Sequence, residues 1–252
     1  MDFSKVFDPY KYGARVKPAL LLVLPIVIYV MAFFEAARSW GGVLSSFLVA
    51  FGVIAFAASQ MSSKGNKLQE KLYKTWGGAP TTIVLRHADD TVEGPTKMRY
   101  MKRLAVLVRD FVIITAEQER ADPKAADDMY RSATAFLREQ TRDTKKYAMI
   151  FNENVDYGFA RNLTACKPFG IALTLVCLTL CLIGLYHTLD MPLKDLSLAA
   201  LAQHPLLLAA TGVELIILVC WIVLVNHEWV RVRGIAYAKR LFASCEEINQ
   251  AG

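Results

Sequence analysis

Four polar side chains lie close together within residues 86–90: Arg86, His87, Asp89 and Asp90. A histidine beside carboxylates is the combination that a divalent metal or an acid–base pair requires. No second histidine, cysteine or glutamate at a recognisable interval completes such a site, so we predict no metal, no cofactor and no catalytic residue. We expect His87 to be an ordinary surface or hydrogen-bonded histidine; a membrane-associated hydrolase that uses Arg86, His87 and Asp89 stays an alternative.

The turn before this cluster has groups that can bind an anion. The pair Gly77-Gly78, followed by Thr81 and Thr82, offers main-chain N–H groups and hydroxyls to a phosphate, with Arg86 as the countercharge. A Walker lysine and a following helix are missing, so the turn is not a P-loop. Candidate residues for binding a small anionic ligand are therefore Thr81, Thr82, Arg86 and His87. The alternative is a loop that only docks within its own domain.

Glu214 is a carboxylate near the middle of an apolar run, Pro205 to Asn226. At the centre of a bilayer an acidic side chain costs about 2.5–3.5 kcal/mol, and it is usually protonated or paired. Three interpretations stay open: a neutral carboxyl that joins helices, a pore-lining or proton-relay group, and a lipid-facing group on a helix that shifts with state. Hydrogen-bond partners available in the apolar runs are Tyr29, Ser45, Ser46, Thr174, Thr179 and Thr211.

Four apolar runs position these residues. The chain has 252 residues, of which 54% are hydrophobic, and a run of roughly 18 or more apolar residues is long enough to span a bilayer. The pattern predicts an all-α membrane protein with two transmembrane helical hairpins flanking a mainly helical insert. The runs are Pro18 to Phe34 (long enough when continued to Ala37), Gly41 to Ser59, Pro168 to His187 and Pro205 to Asn226.

Basic residues indicate the topology. The two short loops between paired runs carry only Arg38 and Lys194, whereas the N-terminal segment and the insert are rich in lysine and arginine. The positive-inside rule places both termini and the insert in the cytoplasm, so we expect a multi-pass membrane protein, with no nucleic-acid partner despite a net charge of +6. The predicted segments are 1–17 (N-terminal segment), 18–59 (first hairpin), 60–167 (insert), 168–226 (second hairpin) and 227–252 (C-terminal helix).

Small residues recur every four positions in the second run, at Gly42, Ser46 and Ala50. Small side chains on one stripe let helix backbones approach closely, because lipid supplies no hydrophobic drive for helices to associate. We therefore predict a helix-packing face, either within the monomer or between the protomers of a homo-oligomer.

A second regular spacing precedes the third run. Glu153, Tyr157 and Arg161 lie four residues apart, which places them on one face of a helix. A network of this kind most often fixes helix geometry. The sharper possibility is that these residues couple the insert to the bilayer.

Within the insert, turn and cap residues mark where helices begin and end. A helix continuing from the second run should end at Gly77-Gly78 and Pro80. The β-branched stretch Thr81 to Leu85 predicts a short strand or an extended loop, and Asp122 followed by Pro123 is typical of a helix start. The helical stretch after Pro95 should carry on one face Met98, Met101, Ala105, Val108 and Val112.

The tail after Asn226 has helical spacing as well. Ile235, Ala238 and Phe242 form one face, and basic residues form another. We expect the fourth span to extend into this tail as one long helix that docks on the insert.

Two motifs stand out, GGxPTTxxLR at residues 77–86 and YGFxRN at residues 157–162. Together they resemble elements of a group of uncharacterised bacterial four-span inner-membrane proteins, and the resemblance covers the order of spans and the insert. It implies a similar fold and no particular activity. The plan of a cytoplasmic sensor between membrane hairpins is also similar to that of four-span effectors of bacterial antiphage systems.

These patterns lead to two hypotheses about function. In the first, a non-enzymatic membrane protein senses a cytoplasmic partner or a small anionic ligand through its insert, and its spans respond by repacking or by opening a path in an oligomer. Glu214 and the small-residue stripe motivate it. In the second, the chain is a structural or accessory subunit that anchors a cytoplasmic partner without gating.

Overall fold

The structure, a computed structural model, describes residues 8–189 and 201–248, apart from the side chains of residues 36, 40 and 42–51. These residues form helices and turns, and no strand occurs among them. The helices are, in chain order, α1 (Pro9–Phe33), α2 (Glu35–Arg38), α3 (Trp40–Trp76), α4 (Pro80–Ile83), α5 (Gly94–Leu107), α6 (Ala116–Ala121), α7 (Pro123–Gln140), α8 (Ala148–Ala165), α9 (Lys167–Leu189), α10 (Pro205–Val223) and α11 (His227–Ala243).

The chain divides into two compact units. The apolar unit comprises Met1–Leu68 and Phe159–Asn226, and the polar unit comprises Gln69–Gly158 and His227–Gly252. The polar unit therefore contains most of the predicted insert, 60–167, together with the predicted C-terminal helix.

Three helices of the apolar unit, α1, α9 and α10, are long and apolar enough to cross a membrane. They pack against one another. On α9 the buried residues include Gly170, Thr174, Cys177 and Cys181, a spacing of three and four that places them on one face. All five cysteines of the chain are free.

The first predicted span begins earlier than expected, and the second lies partly outside the described residues. The first apolar helix begins at Pro9, earlier than the predicted Pro18, because the Asp8 carboxylate caps it by accepting a hydrogen bond from the Tyr10 N–H at 3.0 Å. The predicted second span, Gly41 to Ser59, lies within α3, where the side chains of residues 42–51 are outside the described part. That span, and the two-hairpin arrangement, stay predictions.

Large aromatic side chains pack directly against glycines in the apolar unit. A Cβ atom at Gly170 would lie 2.3 Å from Cε2 of Trp221, and one at Gly184 would lie 2.1 Å from Cε1 of Phe33. Trp221 on α10 is 3% exposed, so it has no room to move aside. Close packing between α9 and its neighbours therefore depends on these glycines, as is usual for helices in lipid.

The polar unit has its own apolar core. Helices α5, α7 and α11 contribute most of it, and α4 packs against both α7 and α11. At that contact a Cβ atom at Gly234 would lie 2.8 Å from Cγ of Pro80. The fully or largely buried core residues include Leu85, Met101, Leu104, Phe111, Ala126, Tyr130, Ala133, Leu137, Ala238, Leu241 and Phe242.

Several local predictions for the insert are confirmed and one is wrong. Helix α3 ends at Trp76, followed by Gly77 at φ 80°, and α7 begins at Pro123 with the Asp122 carboxylate accepting from the Ala125 N–H. Thr81 to Leu85 is neither strand nor extended loop. Pro80, whose ring presets a helical φ, begins the single helical turn α4.

The predicted apolar face after Pro95 is only partly buried. Met101 is 1% exposed, but Met98 is 38% and Val112 is 60% exposed. Helix α5 ends at Leu107, and Val112 lies beyond that end, so helical spacing no longer applies to it.

The predicted continuous helix from the fourth span into the tail is also wrong. Helix α10 ends at Val223 and α11 begins at His227. Between them the Asn226 side chain donates to the Val223 and Leu224 carbonyls, which would otherwise have no partner at the end of α10. The tail does pack on the insert, since α11 contacts α4 and α7 within the polar unit.

The glycine contacts lead to a first prediction. Gly170→Ala should lower the free energy of unfolding by about 1–3 kcal/mol, because the added methyl group overpacks the contact with Trp221. Thermal unfolding of the detergent-solubilised protein, followed by tryptophan fluorescence, measures the change. Gly212→Ala is the matched control, because a Cβ atom on Gly212 meets nothing within 4 Å. Equal destabilisation by both variants would contradict the packing argument.

Candidate functional site

Glu214 is completely buried in α10, with 0% of its surface exposed. Neither carboxylate oxygen has a hydrogen-bond partner among the described residues. The thiols of Cys177 and Cys181 on the facing helix α9 lie within electrostatic range of the carboxylate. A buried polar group without a partner costs about 1–3 kcal/mol, and more when it is charged, so the contacts of Glu214 with the described residues are unfavourable.

Three of the six hydroxyls predicted as partners for Glu214, all of them threonines, donate to carbonyls of their own helices. Thr174 donates to the Gly170 carbonyl at 2.8 Å, and Thr211 donates to the Leu207 carbonyl at 2.9 Å. Thr179 likewise donates to a carbonyl of its own helix. The side chains of Ser45 and Ser46, and those of the packing stripe Gly42, Ser46 and Ala50, lie outside the described residues.

Arg86 is the best-bound charge of the polar cluster. Its guanidinium donates to both oxygens of Asp127 on α7, from Nε at 2.9 Å and from Nη2 at 2.7 Å, and Nη2 also donates to the Gly77 carbonyl at 2.7 Å. The hydrogen bonds and charge of Asp127 raise the Arg86 pKa further. The cation proposed as a countercharge for an anionic ligand is therefore already neutralised within the protein.

His87 is held by hydrogen bonds of its ring and of its main chain. Its Nε2 lies 2.7 Å from the Ile114 carbonyl oxygen, which can only accept, so Nε2 carries the proton. Its main-chain N–H donates to the Glu119 carboxylate at 3.1 Å. The same carboxylate accepts from the Tyr130 hydroxyl at 2.6 Å, and burial raises the pKa of that hydroxyl. This environment matches the expected hydrogen-bonded histidine.

Of the remaining members of the cluster, Asp89 has partners of its own and Asp90 is exposed. The Asp89 carboxylate accepts from the N–H and the hydroxyl of Thr91, both at 3.1 Å. Thr82 is 2% exposed and Thr81 is half-buried. Buried Lys97 donates to the Arg86 carbonyl at 2.6 Å and to the Asp89 carbonyl, and its desolvation lowers its pKa.

Sequence patterns missed the acidic partners of this stretch, Asp127 and Glu119. They lie 41 residues from Arg86 and 32 residues from His87 along the chain. Side chains of residues 86–97 thus stabilise the fold of the polar unit. His87, Asp89, Asp90 and Lys97 also line a pocket of about 370 Å³.

The first two candidate coupling residues belong to the polar unit. The Tyr157 hydroxyl lies 3.1 Å from the Tyr73 hydroxyl and donates to Oε1 of Gln69 at 3.1 Å. Oε2 of Glu153 is buried with no hydrogen-bond partner in the described part of the chain. Helix α8 therefore contacts the end of α3 through the neutral polar side chains of Tyr157, Tyr73 and Gln69.

The third candidate, Arg161, belongs to the apolar unit. Its Nε donates to Oδ1 of Asn162 at 3.2 Å, and Nδ2 of Asn162 donates to the Ala14 carbonyl at 2.7 Å. A Cβ atom on Gly65 would lie 1.9 Å from the same Oδ1. Asn162 is 0% exposed, so a single amide joins α1, α3 and α8 where they meet.

No protein-family model, curated protein or solved structure matches this chain. The resemblance carried by residues 77–86 and 157–162 therefore stays a prediction. In the structure both motifs are built into packing contacts: Arg86 binds Asp127, and Asn162 binds Ala14.

A second prediction separates a structural role of Arg86 from ligand binding. Arg86→Met should lower the free energy of unfolding by about 1–3 kcal/mol, because it leaves the half-buried Asp127 carboxylate without its partner. Thermal unfolding of the full-length protein in lipid nanodiscs measures this loss. Arg120→Met, which removes a guanidinium that is 75% exposed, should change it by less than about 0.5 kcal/mol. An Arg86→Met protein of unchanged stability that no longer binds inorganic phosphate would instead identify an anion site.

Proposed function

We propose that this chain is a multi-pass protein of the bacterial inner membrane whose cytoplasmic polar unit senses a partner or a small anionic ligand. Its membrane helices respond by repacking, as a homo-oligomeric pore or a membrane-disrupting defence effector. Both termini lie in the cytoplasm. Three apolar helices of spanning length and the asymmetric distribution of lysine and arginine support the location and the topology.

The observation that carries the proposal is the state of Glu214. A fully buried carboxylate that has no hydrogen-bond partner among the described residues, on one of the helices that can cross a membrane, is unfavourable for stability. Intramembrane ionisable residues usually serve a pathway or a change of state. Helix separation that brings water or a second polar group to this carboxylate recovers the lost hydrogen bonds. The bundle therefore has an energetic reason to adopt a second arrangement, which a purely static anchor does not need.

A third prediction follows from this cost. Glu214→Leu should raise the free energy of unfolding of the resting protein by about 1–3 kcal/mol, because it replaces an unsatisfied polar group by an apolar one. The same variant should lose the response. Thermal unfolding in nanodiscs measures the first effect. The control is Thr211→Val, one turn away, whose hydroxyl bonds only to its own helix.

Measurement of the membrane potential in bacterial cells tests whether the membrane helices respond as proposed. The wild-type protein and the Thr211→Val protein should depolarise cells on expression or under a trigger such as phage infection, as followed with a potential-sensitive dye. Glu214→Leu should not depolarise them at matched expression. Absence of depolarisation by the wild-type protein under every trigger counts against the pore. A stoichiometric cytoplasmic partner in a pulldown, with Glu214→Gln fully active, favours a non-gating anchor instead.

A further inference from the structure

An open groove of about 780 Å³ lies on the polar unit, between the end of α5 and the outer face of α7. Leu107, Val108 and Phe136 form its apolar wall, and all three are half-buried against the core of the unit. Arg109, Ser132 and Arg138 add polar groups to the same groove. Its volume falls in the range of roughly 300–1,000 Å³ that small-molecule sites occupy.

The two arginines of the groove differ from most others in the polar unit. Arg86, Arg103 and Arg131 bind a carboxylate or main-chain carbonyls. Arg109 and Arg138 make no hydrogen bond or ion pair within the part of the chain that the structure describes. The one carboxylate that lines the groove, Glu139, is paired with Arg142 at 2.7 Å. The groove therefore presents two guanidinium charges that no other described residue of this unit neutralises.

The backbone fixes the position of Arg109. It lies in a tight turn closed by the Phe111 N–H, which donates to the Val108 carbonyl at 3.1 Å. Asp110 in this turn has a φ of 64°, and aspartate is one of the few residues other than glycine that tolerate this region. Since Phe111 is 6% exposed, the turn is anchored in the core. Arg138 is on the rigid helix α7, so both cations have fixed attachment points.

We propose that this groove binds an organic phosphate, with its phosphate at Arg109 and Arg138 and its apolar body against Phe136, Leu107 and Val108. A phosphate monoester carries a charge of about −1.5 to −2 at pH 7, which matches two guanidinium groups, whereas a carboxylate matches only one. The planar guanidinium donates pairs of hydrogen bonds to phosphate oxygens. The half-buried Phe136 ring suits a flat body, because aromatic side chains stack on nucleobases.

The inference rests on the proposed function in one respect: the organic phosphate is the small anionic ligand that the polar unit senses. It moves the ligand site away from Thr81, Thr82, Arg86 and His87, where the cation is already paired with Asp127. The groove supplies what that turn lacks, which is cationic charge without a partner beside an apolar wall.

Calorimetric titration of the full-length protein in phosphatidylcholine nanodiscs tests the site. The probe is ADP, with inorganic pyrophosphate as the anion without an apolar body and adenosine as the body without an anion. ADP should bind at least about tenfold more tightly than either fragment, and the double variant Arg109→Gln/Arg138→Gln should weaken ADP binding by at least about tenfold. Arg131→Gln, on the same helix but paired with Asp128, should change the affinity less than about twofold.

Three results would overturn the proposal: no saturable binding of ADP, equal affinity in the wild-type protein and the double variant, or equal weakening by Arg131→Gln. Binding restricted to a glutamate-rich peptide or to phosphatidylglycerol vesicles would also overturn it, in favour of a protein or lipid partner. Folding of each variant is verified by its unfolding temperature. ADP bound through Arg109 and Arg138 without any change of membrane potential supports the groove and contradicts the proposed sensing function, so the two failures are distinguishable.

Discussion

The guanidinium of Arg86 is bound at once by the Asp127 carboxylate on α7 and by the Gly77 carbonyl at the end of α3. It thereby joins the turn after α3, the segment after α4 and a core helix of the polar unit. Lys97 holds the same segment from its other side by donating to the Arg86 carbonyl. Packing of Pro80 against Gly234 on α11 depends on this placement, because α4 lies between Gly77 and Arg86. A half-buried pair of this kind is costly to break on one side, so it constrains the segments around it.

In the apolar unit the carboxylate of Glu214 has different surroundings from that of Asp127. Asp127 has two strong donors, whereas Glu214 has none among the described residues. Two of the hydroxyls predicted as its partners, those of Thr174 and Thr211, donate to carbonyls of their own helices, because in an apolar environment a threonine satisfies its hydroxyl locally. The polar unit is thus stabilised in part by the fully paired group of side chains around Arg86, whereas the apolar unit has at Glu214 a buried carboxylate with no partner among the described residues.

The patterns in the sequence predicted those features of the fold that depend on residues close together in the chain. Three of the apolar runs, the helix end at Gly77 and the helix start at Pro123 could be found from composition, glycine conformation and capping. The partners of Arg86 and His87 could not, because Asp127 and Glu119 are distant in the chain and only tertiary packing brings them close. The prediction of a strand or extended loop at Thr81 to Leu85 was wrong because β-branching is a weaker signal than the proline before it. The sequence does contain a signal for the groove, because Arg109 interrupts an otherwise apolar stretch.

The buried thiols of Cys177 and Cys181 lie on α9, within electrostatic range of Glu214 on α10. Their rate of chemical modification can therefore report how often these helices separate. A packed thiol in apolar surroundings resists alkylation, because a reagent cannot reach it and the reactive thiolate is disfavoured. Each modification event therefore records one separation of the helices, in the way that amide exchange records local opening of the main chain. Counting those events over time would give the frequency with which the Glu214 carboxylate meets solvent, without any label placed on the carboxylate itself.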